Sequence, residues 1–218
     1  PIHRRVSVTG RVPIIDDGEG AGVSQLEAER IEEASRFAET DPYRAVTANK
    51  GVMNGIDAVL LATGQDFRAV EAAAHAFAAR DGRYTALVQW RIHDQHLVGT
   101  TDIPLALGTV GGITGVHPMV RTTLRVLGIR SARKLAEVVA AVGVAQNLAA
   151  TRALAGDGIQ RGHMRLHARN LAMEVGAEAD EVAKVVATMH ARDRIDKTTA
   201  QAALDDLRSR SGGVDQSD

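Results

Sequence analysis

The sequence DPYRAVTANKGVMNGIDAVLLATGQD, residues 41–66, decides the fold of this chain. From Lys50 to Thr63 the apolar residues recur every three or four positions, which is typical of an amphipathic helix with one buried face. That face comprises Val52, Met53, Ile56, Val59, Leu60 and Thr63. We expect Asn49 to cap the start of this helix and Gly64 to end it.

A second face of the same predicted helix is polar. Lys50, Asn54 and Asp57 are spaced i, i+4 and i+7, so they lie on one side of the helix. Gly51 and Gly55 lie one turn apart inside it, where each costs about 1 kcal/mol relative to alanine. We infer that another group approaches the helix backbone closely at these glycines. A cation, an amide and a carboxylate on one face indicate a polar site.

Each of these polar residues also has an ordinary structural interpretation. A single helix lysine such as Lys50 is most often solvated. Asp66 stands directly before residues 67–79, an alanine-rich stretch that predicts a helix, and it would serve as the N-cap of that helix. The combination of residues is more specific than any one of them.

Composition limits the class of protein. The 218 residues are 44% hydrophobic, which is enough for one domain, or a domain with a small appendage. The 26 basic and 27 acidic residues nearly cancel, so no footprint for nucleic acid or an anionic membrane is present. The absence of cysteine excludes disulfides and thiolate ligands. No apolar run approaches the roughly 18 residues that span a bilayer, and no signal peptide opens the chain; we expect a cytoplasmic protein.

The flanking segments predict an α+β (mixed α/β) fold, with helices packed on a small antiparallel-containing sheet. Residues 84–92 and 96–107 predict a hairpin around a turn at residues 93–95. Residues 4–12 alternate like a strand whose partners are not evident nearby. Residues 131–154 predict a long helix buried on most sides, because charge is nearly absent after its first turns.

The glycine-rich segment at residues 108–112 follows a predicted strand. Its spacing matches neither G-x-G-x-x-G nor the P-loop pattern, so it carries no phosphate-binding fingerprint. A tight turn is the favoured interpretation. A backbone contact to a ligand is the alternative.

Two histidines, His163 and His167, lie one turn apart on a predicted helix. This spacing resembles that of zinc enzymes, but the glutamate of H-E-x-x-H and any thiolate are missing, so metal binding is the weaker interpretation. Gly156, Gly158 and Gly162 indicate a hinge before a mobile C-terminal piece. A histidine on such a piece could donate a proton after substrate has bound. A histidine with a structural role at a helix N-terminus is the alternative.

Six segments, in this order, resemble 3-hydroxy-3-methylglutaryl-coenzyme A reductases, and most closely the bacterial, soluble, class II form. They are DPYRAVT (41–47), NKGVMNGID (49–57), ATGQD (62–66), HLVG (96–99), VAQNL (144–148) and GIQRGHM (158–164). The similarity runs from about residue 29 to residue 193. The family implies an oxidoreductase of mevalonate and isoprenoid metabolism.

The resemblance implies catalytic roles for three residues. Lys50 matches the lysine that stabilises the oxyanion when the thioester, and later the aldehyde, accepts hydride. Asp66 matches the aspartate that hydrogen-bonds this lysine and tunes its acidity. His163 matches the flap histidine that protonates the departing coenzyme A thiolate.

The resemblance also implies substrate contacts and a cofactor. Arg44 matches the arginine that binds the free carboxylate of the acyl group, and Asn54 matches an amide beside the substrate. Gln146 lies on a family motif near the site. The reaction interconverts hydroxymethylglutaryl-coenzyme A and mevalonate plus coenzyme A by two hydride transfers from NADH or NADPH, and class II resemblance favours NADH. The residues that bind the nucleotide are unknown, and a homodimer or a higher assembly of dimers is implied.

Several family features are not found in this sequence. The catalytic glutamate and the Asp-Ala-Met-Gly motif are missing, and Ala48 stands where bacterial members often have histidine. We therefore expect residues 1–15 to be the last strand of an otherwise absent small nucleotide-binding domain. Residues 16–158 would be the C-terminal part of the large catalytic domain, residues 159–211 a helical flap, and residues 212–218 a disordered tail.

The chain is accordingly interpreted as a fragment that is inactive alone and that needs the missing N-terminal half. The alternatives are a non-catalytic acyl-coenzyme A-binding remnant or assembly module and, less favoured, a zinc-dependent hydrolase using His163 and His167.

Overall fold

The computed structural model of the chain describes residues 2–15, 22–156 and 159–211, and only the backbone of residues 159–166, 210 and 211. The chain divides into two compact units, Pro1–Gly156 and Asp157–Asp218. The predicted disordered tail, residues 212–218, lies outside the described residues. The assignment of separate nucleotide-binding, catalytic and flap domains stays a prediction.

Unit 1 contains a three-stranded sheet and six helices in its described part. These are β1 (Arg5–Pro13), α1 (Gln25–Thr40), α2 (Pro42–Ala62), α3 (Phe67–Ala78), β2 (Val88–His93), β3 (His96–Pro104), α4 (Gly112–Val116), α5 (Pro118–Val126) and α6 (Ala132–Ala155). Helices packed on a small antiparallel sheet confirm the predicted α+β class.

Unit 2 consists of three helices where it is described. They are α7 (Ile159–Glu174), α8 (Ala179–Ala191) and α9 (Lys197–Ser211). The unit has its own apolar core, formed by Ala168, Leu171, Ala172, Val182, Val185, Met189, Ala200, Ala203 and Leu204. Ion pairs on its surface add to this packing: Arg208 binds both carboxylate oxygens of Glu181, and this contact lowers the pKa of Glu181 to about 2.

The sheet has the order β1-β3-β2. The predicted hairpin is confirmed: β2 and β3 pair in antiparallel fashion around Asp94 and Gln95, whose φ angles of 47° and 60° are typical of a type I′ turn. The predicted strand at residues 4–12 is confirmed as β1, and its partner is not nearby in the sequence. β1 pairs along its length with β3, from Arg5 opposite Pro104 to Pro13 opposite His96. Local alternation does not reveal a partner some ninety residues away in the chain.

Helix α1 covers the outer edge of β2. The backbone N–H of Trp90 donates to the Ser35 hydroxyl at 2.9 Å, and that of Ile92 donates to the Glu32 carboxylate at 2.8 Å. Arg91, between them, binds the carboxylate of Glu39. Side chains of α1 therefore satisfy strand donors that would otherwise face outward.

Helix α2 starts earlier than the apolar periodicity predicts. Asp41 is its N-cap and accepts a hydrogen bond from the backbone N–H of Arg44 at 2.8 Å, while Pro42 occupies the first turn. The prediction that Asn49 caps the helix is therefore wrong. The predicted end is confirmed, because Thr63 is the C-cap and Gly64 follows with φ of 66°.

Helix α6 packs along one face only, so the expectation that it is buried on most sides is wrong. The buried face comprises Leu135, Ala136, Val139, Ala140, Gly143, Val144, Asn147 and Thr151. Ala141, Ala145 and Ala149 are exposed on the other side. Within the described ranges, α6 is also the one helix long and apolar enough to cross a membrane by length and composition. This corrects the expectation that no stretch comes near that length, although the buried face of α6 serves the core of unit 1.

The glycines of α2 allow α6 to approach closely. A Cβ atom added at Gly55 would lie 2.7 Å from Cβ of Gln146 and 3.1 Å from the carbonyl oxygen of Val142. In return, a Cβ at Gly143 would lie 2.9 Å from Cγ1 of Ile56. The close approach predicted at Gly51 and Gly55 is therefore that of a neighbouring helix, packed backbone to backbone.

Candidate active site

The polar face of α2 is open to solvent. Lys50 and Asn54 are exposed and Asp57 is half-buried, while the apolar face of the helix is largely buried in the core. An ammonium and an amide one turn apart are therefore accessible to a ligand. Their assignment to catalysis and substrate binding stays a prediction.

Arg44 lies in the first turn of the same helix and is half-buried. Burial lowers the pKa of its guanidinium, because the surrounding protein disfavours the charged form. Among the described residues the guanidinium has no hydrogen-bonded or ion-paired partner. A partly desolvated cation of this kind is suited to receive a carboxylate, which arginine binds through two parallel hydrogen bonds.

Asp66 serves as a helix N-cap in this structure, which is its ordinary structural interpretation. It is exposed, and its carboxylate accepts a hydrogen bond at 3.1 Å from the backbone N–H of Ala69 as the N-cap of α3. Within the described part of the chain, no hydrogen bond or ion pair joins Asp66 to Lys50. The role of Asp66 as the partner of the lysine therefore stays a prediction.

Gln146 is exposed on α6, and its side chain packs against Gly55, the residue after Asn54. The close packing of α2 and α6 thus brings Gln146 to the helix that carries Lys50. This placement accords with a site near the predicted lysine, and the contact of Gln146 with substrate stays a prediction.

Two buried asparagines support this region, and sequence reasoning missed both functions. Asn147 accepts a hydrogen bond from Nε1 of Trp90 at 2.8 Å and donates to the carbonyl of Ala48 at 3.2 Å. Asn49 donates to the carbonyl of Thr85 at 2.9 Å and accepts from the N–H of Leu87 at 2.8 Å. Both asparagines therefore fix α2 at Ala48 and Asn49, directly before Lys50. Their place in segments 49–57 and 144–148, which resemble the reductases, was the available signal.

The glycine-rich turn after β3 is tied to the connection between α2 and α3. The side-chain amide of Gln65 donates to the carbonyl of Gly108 at 2.8 Å and accepts from its N–H at 3.0 Å. Gly111 and Gly112 have φ angles of 78° and 53°, which favour glycine. These contacts support the tight-turn interpretation.

Asp57 on α2 is affected by Glu71, a carboxylate on α3. Burial first, and then the negative charge of Glu71, raise the pKa of Asp57 to about 6. Sequence analysis placed Asp57 on the polar face but gave no role to Glu71, because an interaction between two helices is not encoded in local spacing.

The two histidines lie on α7 in unit 2. The side chain of His163 lies outside the described residues, and His167 is exposed. No group of three histidine, aspartate or glutamate side chains that could hold a metal ion occurs in the parts of the chain with described side chains. The proton-donor role of His163 stays a prediction.

The comparisons with known proteins identify the class. The sequence model of the hydroxymethylglutaryl-coenzyme A reductase family matches residues 19–168. A curated 3-hydroxy-3-methylglutaryl-coenzyme A reductase from Archaeoglobus fulgidus is 51% identical over 177 residues, which are 81% of this chain and 40% of the relative. A probable reductase of the same name from Borreliella burgdorferi is 42% identical over 66% of this chain and 33% of its own length.

Solved structures agree with the sequence matches. A 3-hydroxy-3-methylglutaryl-coenzyme A reductase from Streptococcus pneumoniae superimposes with a TM-score of 0.66 at 43% identity, covering 94% of this chain and 49% of its own. A class II reductase structure from the same organism, bound to NADPH in open conformations, gives a TM-score of 0.65 at 44% identity.

These relatives are coenzyme A thioester reductases, and the fold and helix pattern of this chain are shared with them. The chain belongs to the hydroxymethylglutaryl-coenzyme A reductase family. It spans 40% of the archaeal relative and about half of the streptococcal chains.

Proposed function

We propose that this chain contributes the lysine, the substrate-binding residues and the helical flap to an enzyme that interconverts hydroxymethylglutaryl-coenzyme A and mevalonate plus coenzyme A. The observation that carries this proposal is the arrangement of polar residues on helix α2. Lys50 and Asn54 are exposed on it, and in its first turn lies a half-buried Arg44 whose guanidinium has no partner among the described residues. In the family this chain belongs to, these positions match the oxyanion-stabilising lysine, the substrate amide and the carboxylate-binding arginine.

The residue types suit the chemistry of two successive hydride transfers. Each transfer places negative charge on the substrate oxygen, and the Lys50 ammonium can stabilise that charge in the transition state. Cleavage of the hemithioacetal releases a thiolate, which requires an acid; His163 on unit 2 is the proposed donor. Asp66 would orient the lysine once substrate is bound. Gln146 would complete the polar surface beside Asn54.

The proposed hydride donor is NADH or NADPH, and no residue of this chain is assigned to binding it. The class II resemblance favours NADH, while the streptococcal class II relative has been solved with NADPH. We also propose a cytoplasmic location and a homodimer, or an assembly of dimers. The catalytic glutamate and the nucleotide-binding part would come from sequence outside these 218 residues.

The first test is substrate binding by calorimetry. We expect Arg44→Ala to weaken binding of hydroxymethylglutaryl-coenzyme A by about tenfold or more, because a charge-assisted hydrogen bond contributes roughly 1.5–3 kcal/mol. Arg30→Ala is the matched control, since Arg30 is exposed on α1 and has no partner in the described region. If both variants and the parent bound hydroxymethylglutaryl-coenzyme A with equal affinity, the proposed role of Arg44 would be wrong.

The second test is turnover. We expect no oxidation of NADH or NADPH by these 218 residues alone, because the proposed nucleotide site and glutamate lie elsewhere. Loss of nicotinamide absorbance on addition of hydroxymethylglutaryl-coenzyme A measures this directly. Turnover by the purified chain would contradict the fragment interpretation. Binding without turnover, even after the complementary half is added, would favour the non-catalytic binding module.

A further inference from the structure

A chain of hydrogen bonds joins β2, α6 and α2 next to the candidate site. The indole N–H of Trp90, the single tryptophan of the sequence, donates to Oδ1 of Asn147 at 2.8 Å. The amide nitrogen of Asn147 in turn donates to the carbonyl oxygen of Ala48 at 3.2 Å. Trp90 and Asn147 are only 2% and 3% exposed, so water does not replace these partners. Because its oxygen and its nitrogen are both bonded, the buried amide is held in one orientation.

The contact between α2 and α6 beside this amide is formed by small residues. A Cβ atom added at Gly51 would lie 3.2 Å from Cβ of Ala150, and one added at Gly55 would lie 2.7 Å from Cβ of Gln146. Glycine and alanine give a helix surface shallow ridges, so their packing alone resists sliding along the helix axis weakly. A hydrogen bond is directional, and the one from Asn147 therefore fixes where α2 lies along α6.

The bonded carbonyl lies among the candidate substrate-binding residues. On α2, Ala48 follows Arg44 by one turn and precedes Lys50 by two residues, and on α6 Asn147 directly follows Gln146. We propose that Asn147 is a positioning residue, which holds α2 in register on α6 so that Lys50 and Gln146 meet the same substrate. The proposal rests on the proposed function of these residues, whereas the hydrogen bonds themselves do not.

The test compares substrate affinity with stability. Asn147→Leu nearly conserves the buried volume but removes both hydrogen bonds. We expect it to weaken binding of hydroxymethylglutaryl-coenzyme A about tenfold in calorimetry, because a shifted α2 would lose a charge-assisted hydrogen bond to the substrate. Its urea midpoint should fall as well, since the carbonyl of Ala48 and the indole N–H of Trp90 lose a buried partner.

Ser35→Ala is the matched control. Ser35 is also buried and accepts a hydrogen bond from the same tryptophan, at 2.9 Å from the backbone N–H of Trp90, but it lies on α1. We expect this variant to have a lower urea midpoint and the affinity of the parent. If Asn147 had only a structural role, Asn147→Leu would behave in the same way as Ser35→Ala.

Nitrogen-15 NMR shows whether each variant has the intended contacts. A single tryptophan gives a single indole N–H signal in the folded protein. The signal should move in Asn147→Leu, where its acceptor is gone, and should stay near the parent position in Ser35→Ala. Dispersed amide signals and the urea curve establish that the variant is folded at the temperature of the calorimetry.

Trp90→Phe provides a second arm if Asn147→Leu does not fold. It keeps an aromatic ring but removes the donor that orients the amide of Asn147. We expect weaker binding of hydroxymethylglutaryl-coenzyme A than in the parent and in Ser35→Ala. In the double variant, binding should be no weaker than in Asn147→Leu alone, because both changes break the same chain of contacts.

The outcomes separate this proposal from the proposed function. If the parent does not bind hydroxymethylglutaryl-coenzyme A, the proposed function is wrong and the positioning role falls with it. If the parent binds and Arg44→Ala weakens binding, but folded Asn147→Leu keeps the affinity of the parent, the positioning role alone is wrong. Parent affinity in folded Trp90→Phe overturns it equally where Asn147→Leu does not fold.

Discussion

Replacement of Asn49 by alanine is expected to lower the free energy of unfolding by about 2–4 kcal/mol. Asn49 is completely buried, and its amide satisfies the carbonyl of Thr85 and the N–H of Leu87. Truncation would leave both backbone groups without these partners, and each buried unsatisfied group costs roughly 1–3 kcal/mol. The loss should appear as a lower urea midpoint with an unchanged slope.

Asn54→Ala is the matched control for this experiment. It removes the same amide from the same helix, but Asn54 is exposed. We expect its free energy of unfolding to stay within about 0.5 kcal/mol of the parent. Equal losses of stability in Asn49→Ala and Asn54→Ala would show that the hydrogen bonds of Asn49 to Thr85 and Leu87 do not stabilise the packing of α2 against the segment before β2.

Replacement of Gly55 by valine is the second large effect, with an expected loss of about 3 kcal/mol. A Cβ atom at this position would meet Cβ of Gln146 at 2.7 Å and the carbonyl oxygen of Val142 at 3.1 Å. Neither atom is the free end of a flexible side chain, so α2 and α6 would have to move apart. Overpacking of this kind costs typically about 1–3 kcal/mol and occasionally more.

Gly115→Val provides the comparison. Gly115 is also helical, in α4, but a Cβ atom there would meet nothing within 4 Å. We expect the unfolding midpoint of this variant to stay close to that of the parent. If Gly55→Val were as stable as Gly115→Val, α6 could move away from α2 without a loss of stability.

The sequence predicted those parts of the fold that depend on local periodicity and capping. The buried face of α2, the glycine at its end and the hairpin at Asp94 and Gln95 all follow from spacing and turn chemistry within a few residues. The true start of α2 was also written in the sequence, as Asp41 before Pro42, but the apolar periodicity drew attention to Asn49. A cap and a buried amide use the same residue type, and only packing distinguishes them.

Features that depend on distant pairing could not be predicted. The partner of β1 is β3, far along the chain, and the Glu71 charge that raises the pKa of Asp57 lies on another helix. The exposed side of α6 was missed for a related reason, since alanine fits a core as well as a surface. For the candidate site, the residues on α2 were found by spacing, whereas the amides of Asn147 and Gln65 act through contacts that spacing does not specify.

The contacts of α1 with β2 make the two edges of the sheet different. Ser35 and Glu32 occupy the outward N–H groups of Trp90 and Ile92, so an incoming strand would find those donors already taken. β1, at the opposite side, has no second strand beside it in the described ranges. A further strand would therefore meet two occupied donors along β2, whereas residues 5–13 form the edge of the sheet that has no neighbouring strand among the described residues.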